Sequence, residues 1–224
     1  MQNNSKNGLK VFVNKNITGA LNFENDTYIF NYKDDAKDIV SLTMPIRSAS
    51  WNSKKLHPIF QMNMPEGALK ETIKNHFSKI EIMTDINMLK LIGPYMLGRV
   101  KFEDIKEVQD NLNLDDVLNS SKQNLFDELL LKFAIKSGVS GVQPKLLLKA
   151  YDKTTMKFEN YIVKSWENNY PNLALNEYFC MKACSYAKLP TPEFYISDDF
   201  KMFVMKRFDI LENGTYLGFE DMCV

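Results

Sequence analysis

Residues 137–164 read SGVSGVQPK, LLLKAY, DKTTMK and FENYIVK, and the interpretation of this stretch decides what the rest of the chain can build. Gly138 and Gly141, set beside Ser137 and Ser140, make a loop whose backbone N–H groups can come close to an anion. The runs LLLKAY and FENYIVK flank a polar turn, which is the pattern of a β-hairpin. The second run closes on Lys164, an ammonium at the end of the apolar strand Tyr161-Ile162-Val163. A small-residue loop, a strand pair and a terminal lysine together suit a grip on nucleotide phosphates. Alone, the same letters also suit a helix stopped at Gly138 and an ordinary hairpin.

The residues downstream weigh for the grip. A helix is expected from about Asn172 to Lys188, with an apolar stripe of Leu173, Cys180, Cys184 and Ala187. Glu177 falls on that stripe by helical spacing. A carboxylate on the inner side of a helix is costly unless a cation meets it, and Lys164 on the adjoining strand is the candidate. The competing expectation sends Glu177 to solvent at the helix start, where its charge also suits the dipole. Two strands follow, EFYI and KMFVMKRF, joined at Ser197-Asp198-Asp199. Glycine loop, hairpin, lysine-ended strand, glutamate-bearing helix and two strands follow the order of a protein-kinase small lobe.

Upstream, Leu9, Val11 and Val13 alternate, as do Tyr28, Phe30 and Tyr32, and IVSLTMPIR offers another strand before Pro45; a small antiparallel sheet is expected over residues 9–47. Leu69, Ile73, Phe77 and Ile80 predict a helix starting near Pro65-Glu66, and Asp85 can cap a second, DINMLKLIG. PYMLGRVKF reads as a strand, and residues 103–123 as a polar connector holding the domain boundary. Leu125, Phe126, Leu129, Leu130 and Phe133 mark one face of a further helix. The fold class expected is α+β, with residues 1–110 as one subdomain and 111–224 as a kinase-like small lobe.

The 224 residues suffice for a large core, and 45% of them are apolar. Lys+Arg and Asp+Glu both number 28, so no global field recruits nucleic acid or an anionic membrane. The start, MQNNSKNGLK, has no signal-peptide core, and three cysteines give no disulfide framework, which predicts a cytoplasmic protein. Cys180 and Cys184 lie one helical turn apart without a second ligand pair, and His57 and His76 stand alone, so no metal site is expected.

Several words carry a resemblance: SLTMPIR, PIFQMNMPEG and LKLIGPYMLGRVKF in the first half, then SGVSGVQPK, YIVK, NLALNEYFCMKAC, MKRFD and EDMC. With them the chain resembles the HipA family of bacterial toxin kinases over nearly its whole length. The resemblance implies that residues 139–143 (Val139, Ser140, Gly141, Val142 and Gln143) cover the ATP phosphates. It implies that Lys164 binds the α/β-phosphates and that Glu177 positions Lys164. Lys206 and Phe208 would meet adenine through their backbone at a hinge, and Asp209 would reach the ribose. The serine autophosphorylated in the family's loop usually stands where Gly138 is here; a Ser-x-Ser variant points to Ser140, with Ser137 the weaker candidate and a merely loop-forming serine equally open.

The resemblance further implies a serine/threonine protein kinase toxin of a type II toxin–antitoxin system, using ATP and Mg²⁺. Its partners would be a helix-turn-helix antitoxin, through which DNA is met indirectly, and a protein substrate, an aminoacyl-tRNA synthetase by family analogy. No Asp-x-x-x-x-Asn catalytic loop follows the hinge before Val224. The expectation is therefore a member without its catalytic large lobe, its base and Mg²⁺ ligands lying beyond this sequence, and inactive by itself. The alternative is a non-catalytic binding module or split-toxin subunit that engages an antitoxin or a separate catalytic half.

Overall fold

The structure, a computed structural model, describes residues 8–77, 82–103, 112–119, 122, 124–141, 143–166 and 171–221. In chain order its first elements are β1 (Leu9–Val13), β2 (Asn16–Glu24), β3 (Thr27–Tyr32), β4 (Trp51–Ser53), α1 (Pro58–Gln61), α2 (Gly67–Phe77), α3 (Asp85–Ile92) and β5 (Val100–Phe102). Then come α4 (Leu114–Leu118), α5 (Leu125–Phe133), β6 (Lys145–Asp152), β7 (Lys157–Lys164), α6 (Leu173–Tyr186), β8 (Phe194–Ile196) and β9 (Phe203–Lys206). Mixed α and antiparallel β structure is thus the fold class. The chain divides into two compact units: Met1–Met64, Ile80–Lys106 and Asp209–Val224 form one, Pro65–Lys79 and Glu107–Phe208 the other. The expected boundary at 110/111 lies outside the described residues, as does most of the expected connector. No helix among the described residues is long and apolar enough to cross a membrane.

The first unit is built on a five-stranded sheet of order β4-β3-β2-β1-β5 with antiparallel neighbours. Asn25 and Asp26 join β2 to β3 at φ of 48° and 55°, the left-handed pair that a two-residue hairpin loop needs to match strand twist. Leu9, Val11 and Val13 of β1 are buried, as are Leu21 and Phe30, and Phe60 of α1 packs between Phe30 and Phe102 at ring distances of 5.4 and 5.6 Å. The sheet takes in strands beyond residue 47, and two expected strands are shorter or missing. Residues 39–47 form a turn with a single bridge, Ser41 to Met44, because the buried Ser41 hydroxyl draws the backbone into a local hydrogen bond with Thr43 N–H and Pro45 has no donor. In PYMLGRVKF, Gly93–Tyr95 is a 3₁₀ turn and only Val100–Phe102 pairs as a strand. Residues 209–221 complete this unit: Glu220 accepts from Ser41 Oγ (2.6 Å) and Leu42 N (2.7 Å), and Asn14 Oδ1 accepts from Tyr216 N (2.8 Å).

The second unit has a four-stranded sheet of order β6-β7-β9-β8. The β6–β7 hairpin runs in register from Asp152 opposite Lys157 to Lys145 opposite Lys164. Leu146, Leu147, Leu148, Tyr161, Val163, Phe203 and Val204 fill the core, with Phe133 and Leu130 of α5. The helix α5 gives way at Ala134 to a 3₁₀ turn, and Ser137 follows, with 0% exposure. The Ser137 hydroxyl donates to Phe133 O (2.8 Å) and accepts from Leu147 N (2.9 Å), fastening the helix end to the edge strand β6.

The helix α6 corrects the expected stripe. Cys180 and Ala187 are exposed, and only Ala174 of the helix is fully buried. The face turned to the sheet runs through Ala174, Tyr178 and Lys182, with Tyr178 5.7 Å edge-on to Phe194 of β8 and Lys182 Nζ 5.6 Å above the same ring. Polar and apolar residues are spread around this helix, so its sequence marks no clear inner face, and aromatic partners on β8 decided it.

Candidate functional site

The open end of the β6–β7 hairpin gathers the charged groups. Lys164, last residue of β7, pairs with Oε1 of Glu177 on α6; the side chains are 19% and 31% exposed. Lys164 Nζ also lies 5.9 Å from the Phe203 ring centroid. The other Glu177 oxygen, Oε2, is buried and has no hydrogen-bond partner among the described residues. Directly opposite Lys164 in the strand register stands Lys145, half-buried. Burial first, and then the charge of Lys164, push the Lys145 ammonium below its ordinary range, while Glu177 and Glu66 pull the other way.

The glycine loop closes over this end. Gly141 has φ of +109°, and a Cβ there would collide with Lys145 Nζ, so the loop backbone lies against the ammonium. Gln143 Nε2 donates to Ser165 O (3.0 Å), and Ser165 N donates to Pro144 O (2.8 Å); these bonds tie the loop to the residue after Lys164. Ser140 is half-buried, whereas Val139 turns its side chain into the core at 6% exposure. Val142 lies outside the described residues. Lysine, glutamate, Gly141 and Gln143 of the expected set therefore meet at one strand end.

The remaining expected residues stand elsewhere. The Lys206 side chain pairs with Glu159 at 3.0 Å and its N–H donates to Glu193 O (2.8 Å), on the part of β9 opposite Tyr161. Burial opposes the Lys206 charge, but Glu159, Glu193 and Asp152 outweigh it and hold the ammonium above its usual range. Phe208 is 64% exposed at the end of the second unit. Asp209 belongs to the first unit, buried, with Oδ2 accepting from Gly98 N (3.0 Å). Lys145 was not among the expected residues; its signal was the hairpin register, which sets it across from Lys164 once the turn is placed.

Comparison with known proteins bears on both halves. Residues 9–103 match the family model described as HipA N-terminal domain, and residues 137–224 match that described as HipA-like C-terminal domain. The chain belongs to the HipA family. This corrects the expectation of a member made of an N-terminal subdomain and a kinase small lobe without the catalytic large lobe: both HipA domains are represented, the second from Ser137 onward. An uncharacterized protein of Haemophilus influenzae is 31% identical over 99 residues, which take in 44% of this chain and 92% of that protein. Among solved structures, a chain of the Shewanella oneidensis MR-1 toxin–antitoxin complex of HipA, HipB and operator DNA matches with a TM-score of 0.57 and 18% identity, over 91% of this chain and 51% of that one. At that identity the likeness is one of fold alone, and this chain spans about half the length of that relative. At the family level the chain is related to HipA toxin–antitoxin proteins.

Proposed function

We propose that this protein is a HipA-type serine/threonine protein kinase toxin whose ATP-phosphate grip is the Lys164–Glu177 end of the β6–β7 hairpin. The observation that carries the reading is the ion pair itself: a strand-end lysine held by a helix glutamate beneath a glycine-bearing turn. The donor set fits a triphosphate, since ammonium and loop N–H groups in a partly desolvated cleft meet phosphate oxygens with charge-assisted hydrogen bonds. Lys164 would donate to the α/β-phosphates, Glu177 would keep it aimed, and the backbone of residues 139–143 would cover the chain of phosphates. By the family resemblance, Lys206 and Phe208 would offer the adenine edge and Asp209 would reach the ribose. Ser140 is the proposed autophosphorylation site; the Ser137 hydroxyl is already committed on two sides.

In this reading residues 1–110 form the N-terminal subdomain and 111–224 a kinase-like small lobe. The γ-phosphoryl of ATP passes to a protein serine, and Mg²⁺ neutralises charge on the phosphates when bound. Among the described residues no three His, Cys, Asp or Glu side chains cluster as a metal site, and no step is assigned to the ion. The solved relative's complex with HipB and operator DNA supports a helix-turn-helix antitoxin as partner, with DNA met through it. An aminoacyl-tRNA synthetase is the substrate class that family resemblance suggests. The test is calorimetric titration with Mg-ATP of the wild type and Lys164→Met. A loss of about tenfold or more in affinity is expected, the worth of one hydrogen bond to a charged group; equal affinities refute the grip.

A further inference from the structure

The first unit holds a cavity of about 440 Å³, inside the size range of small-molecule sites. Its floor is apolar and buried, with Ile59 and Met62 beside Val100, and its mouth carries exposed Leu42 and Phe219. Two opposite charges, Arg99 and Glu220, line the same space. Neither makes an ion pair with the other or with another described residue. Of its five N–H donors the Arg99 guanidinium spends one, Nη2 to Ile39 O at 3.1 Å. Glu220 accepts from Ser41 Oγ and Leu42 N and keeps lone pairs on both oxygens. Asn63, 6% exposed, donates through Nδ2 to Leu97 O (3.1 Å), and its Oδ1 bonds to no described residue. The two charged walls are fitted closely: a Cβ at Gly218 would meet Arg99 Nε at 2.7 Å, and one at Gly98, whose φ is +72°, the Phe219 ring at 2.8 Å. Charges that only solvate a surface need neither this fit nor a shared apolar floor.

We propose that this cavity binds a free α-amino acid with a mid-sized apolar side chain. The ligand carboxylate meets the open fork of Arg99, its ammonium meets Glu220 and Asn63 Oδ1, and its side chain lies on Ile59 and Met62. A zwitterion answers both protein charges at once. A simple anion or cation would satisfy one and strip water from the other without replacing it, which is costly. A peptide's C-terminal residue could offer the carboxylate and the side chain, but an amide stands where the ammonium should be, and Glu220 then has no cation. Glu220 thus selects the free amino acid over a chain terminus. Every residue invoked belongs to the first unit, so the proposal goes beyond the nucleotide reading and does not rest on it.

Calorimetry on the full chain tests it with L-phenylalanine, L-leucine and L-methionine as probes. Three analogues accompany them: phenethylamine, which lacks the carboxylate, 3-phenylpropionate, which lacks the ammonium, and alanyl-phenylalanine, which carries an amide in the ammonium's place. Wild type is expected to bind phenylalanine and to lose about tenfold or more in affinity for each analogue, as the removal of one charge-assisted bond requires. Arg99→Met and Glu220→Gln, each first checked for folding by circular dichroism, should both weaken phenylalanine by about that factor. Arg99→Met should leave phenethylamine within about twofold of wild type, and Glu220→Gln should do the same for 3-phenylpropionate, a crossed pattern that a damaged fold would not give. Failure of all three amino acids to bind wild type at millimolar concentration overturns the proposal, as does phenylalanine binding that neither substitution changes. Alanyl-phenylalanine bound as tightly as phenylalanine refutes the free amino acid and gives the cavity to a chain terminus.

Discussion

Replacing Ser137 by alanine tests whether the glycine loop hangs from a fixed point. The hydroxyl serves two bonds inside the second unit, donating to Phe133 O at 2.8 Å and accepting from Leu147 N at 2.9 Å. Neither end can turn to water, because Ser137 is 0% and Leu147 4% exposed. Removing the oxygen forfeits a net ~1 kcal/mol for a buried bond and strands the Leu147 N–H at a further ~1–3 kcal/mol. Alanine fills nearly the same space, so little cavity cost is added, and the loss comes to about 3 kcal/mol. Urea unfolding with paired hydrogen exchange reads it directly: the midpoint falls, and the Leu147 amide loses protection. Ser140→Ala, at a half-buried position, serves as the control, with an expected change within ~0.5 kcal/mol. A Ser137→Ala protein as stable as that control, with Leu147 still protected, would refute the reasoning.

Three further outcomes follow from the geometry. Gly93→Ala places a Cβ against Phe102 in the packed core of the first unit and should cost about 1–3 kcal/mol of stability, read by chemical denaturation. Lys145→Met should raise stability near pH 7, because the folded state holds this ammonium below its ordinary pKa; the penalty is full below the folded pKa and vanishes above the unfolded one, near 10.4, so the advantage of methionine should shrink as pH climbs toward that value. Asp152→Ala should cost about 1–3 kcal/mol, since Thr154 N loses its acceptor at 2.7 Å and the buried Tyr161 hydroxyl loses its own. Burial works against the Asp152 charge, but bonds from Thr154, Thr155 and Tyr161 prevail and hold the carboxyl below its usual range; its contribution is present above the unfolded pKa, near 3.9, and is lost as pH falls through the folded one, so wild type and Asp152→Ala should converge in acid.

The elements legible in the sequence were those whose signal is local. Alternation of residue types in Leu9–Val13 and Thr27–Tyr32, and the apolar runs around DKTTMK, mark strands. Residues 39–47 misled because the Ser41 hydroxyl and Glu220, distant in sequence, hold a turn where the letters alternate like a strand. The stripe on α6 misled because polar and apolar residues are mixed around its circumference, and Phe194 selected the face holding Ala174 and Tyr178. Within the site, the Lys164–Glu177 encounter was legible as a cation at a strand end and a carboxylate on the helix that follows, although the stripe used to place Glu177 is not the buried one. The Asp209 bond to Gly98 was not, since it joins residues 111 positions apart. Lys145 was readable in principle: a turn centred on 153–156 sends residue 164 to residue 145, a deduction that needs the register and not merely the motif.

Residues 209–221 lend the first unit hydrogen bonds at Asn14, Ser41, Leu42 and Gly98, yet they follow every residue of the second unit along the chain. On a ribosome the unit that starts first would be finished last. Its sheet would emerge early, wait through the manufacture of the whole β6–β9 assembly, and acquire these fasteners only afterwards. A released polypeptide that ends at Phe208 should accordingly present a protease-resistant second unit beside a first unit that is still easily cut.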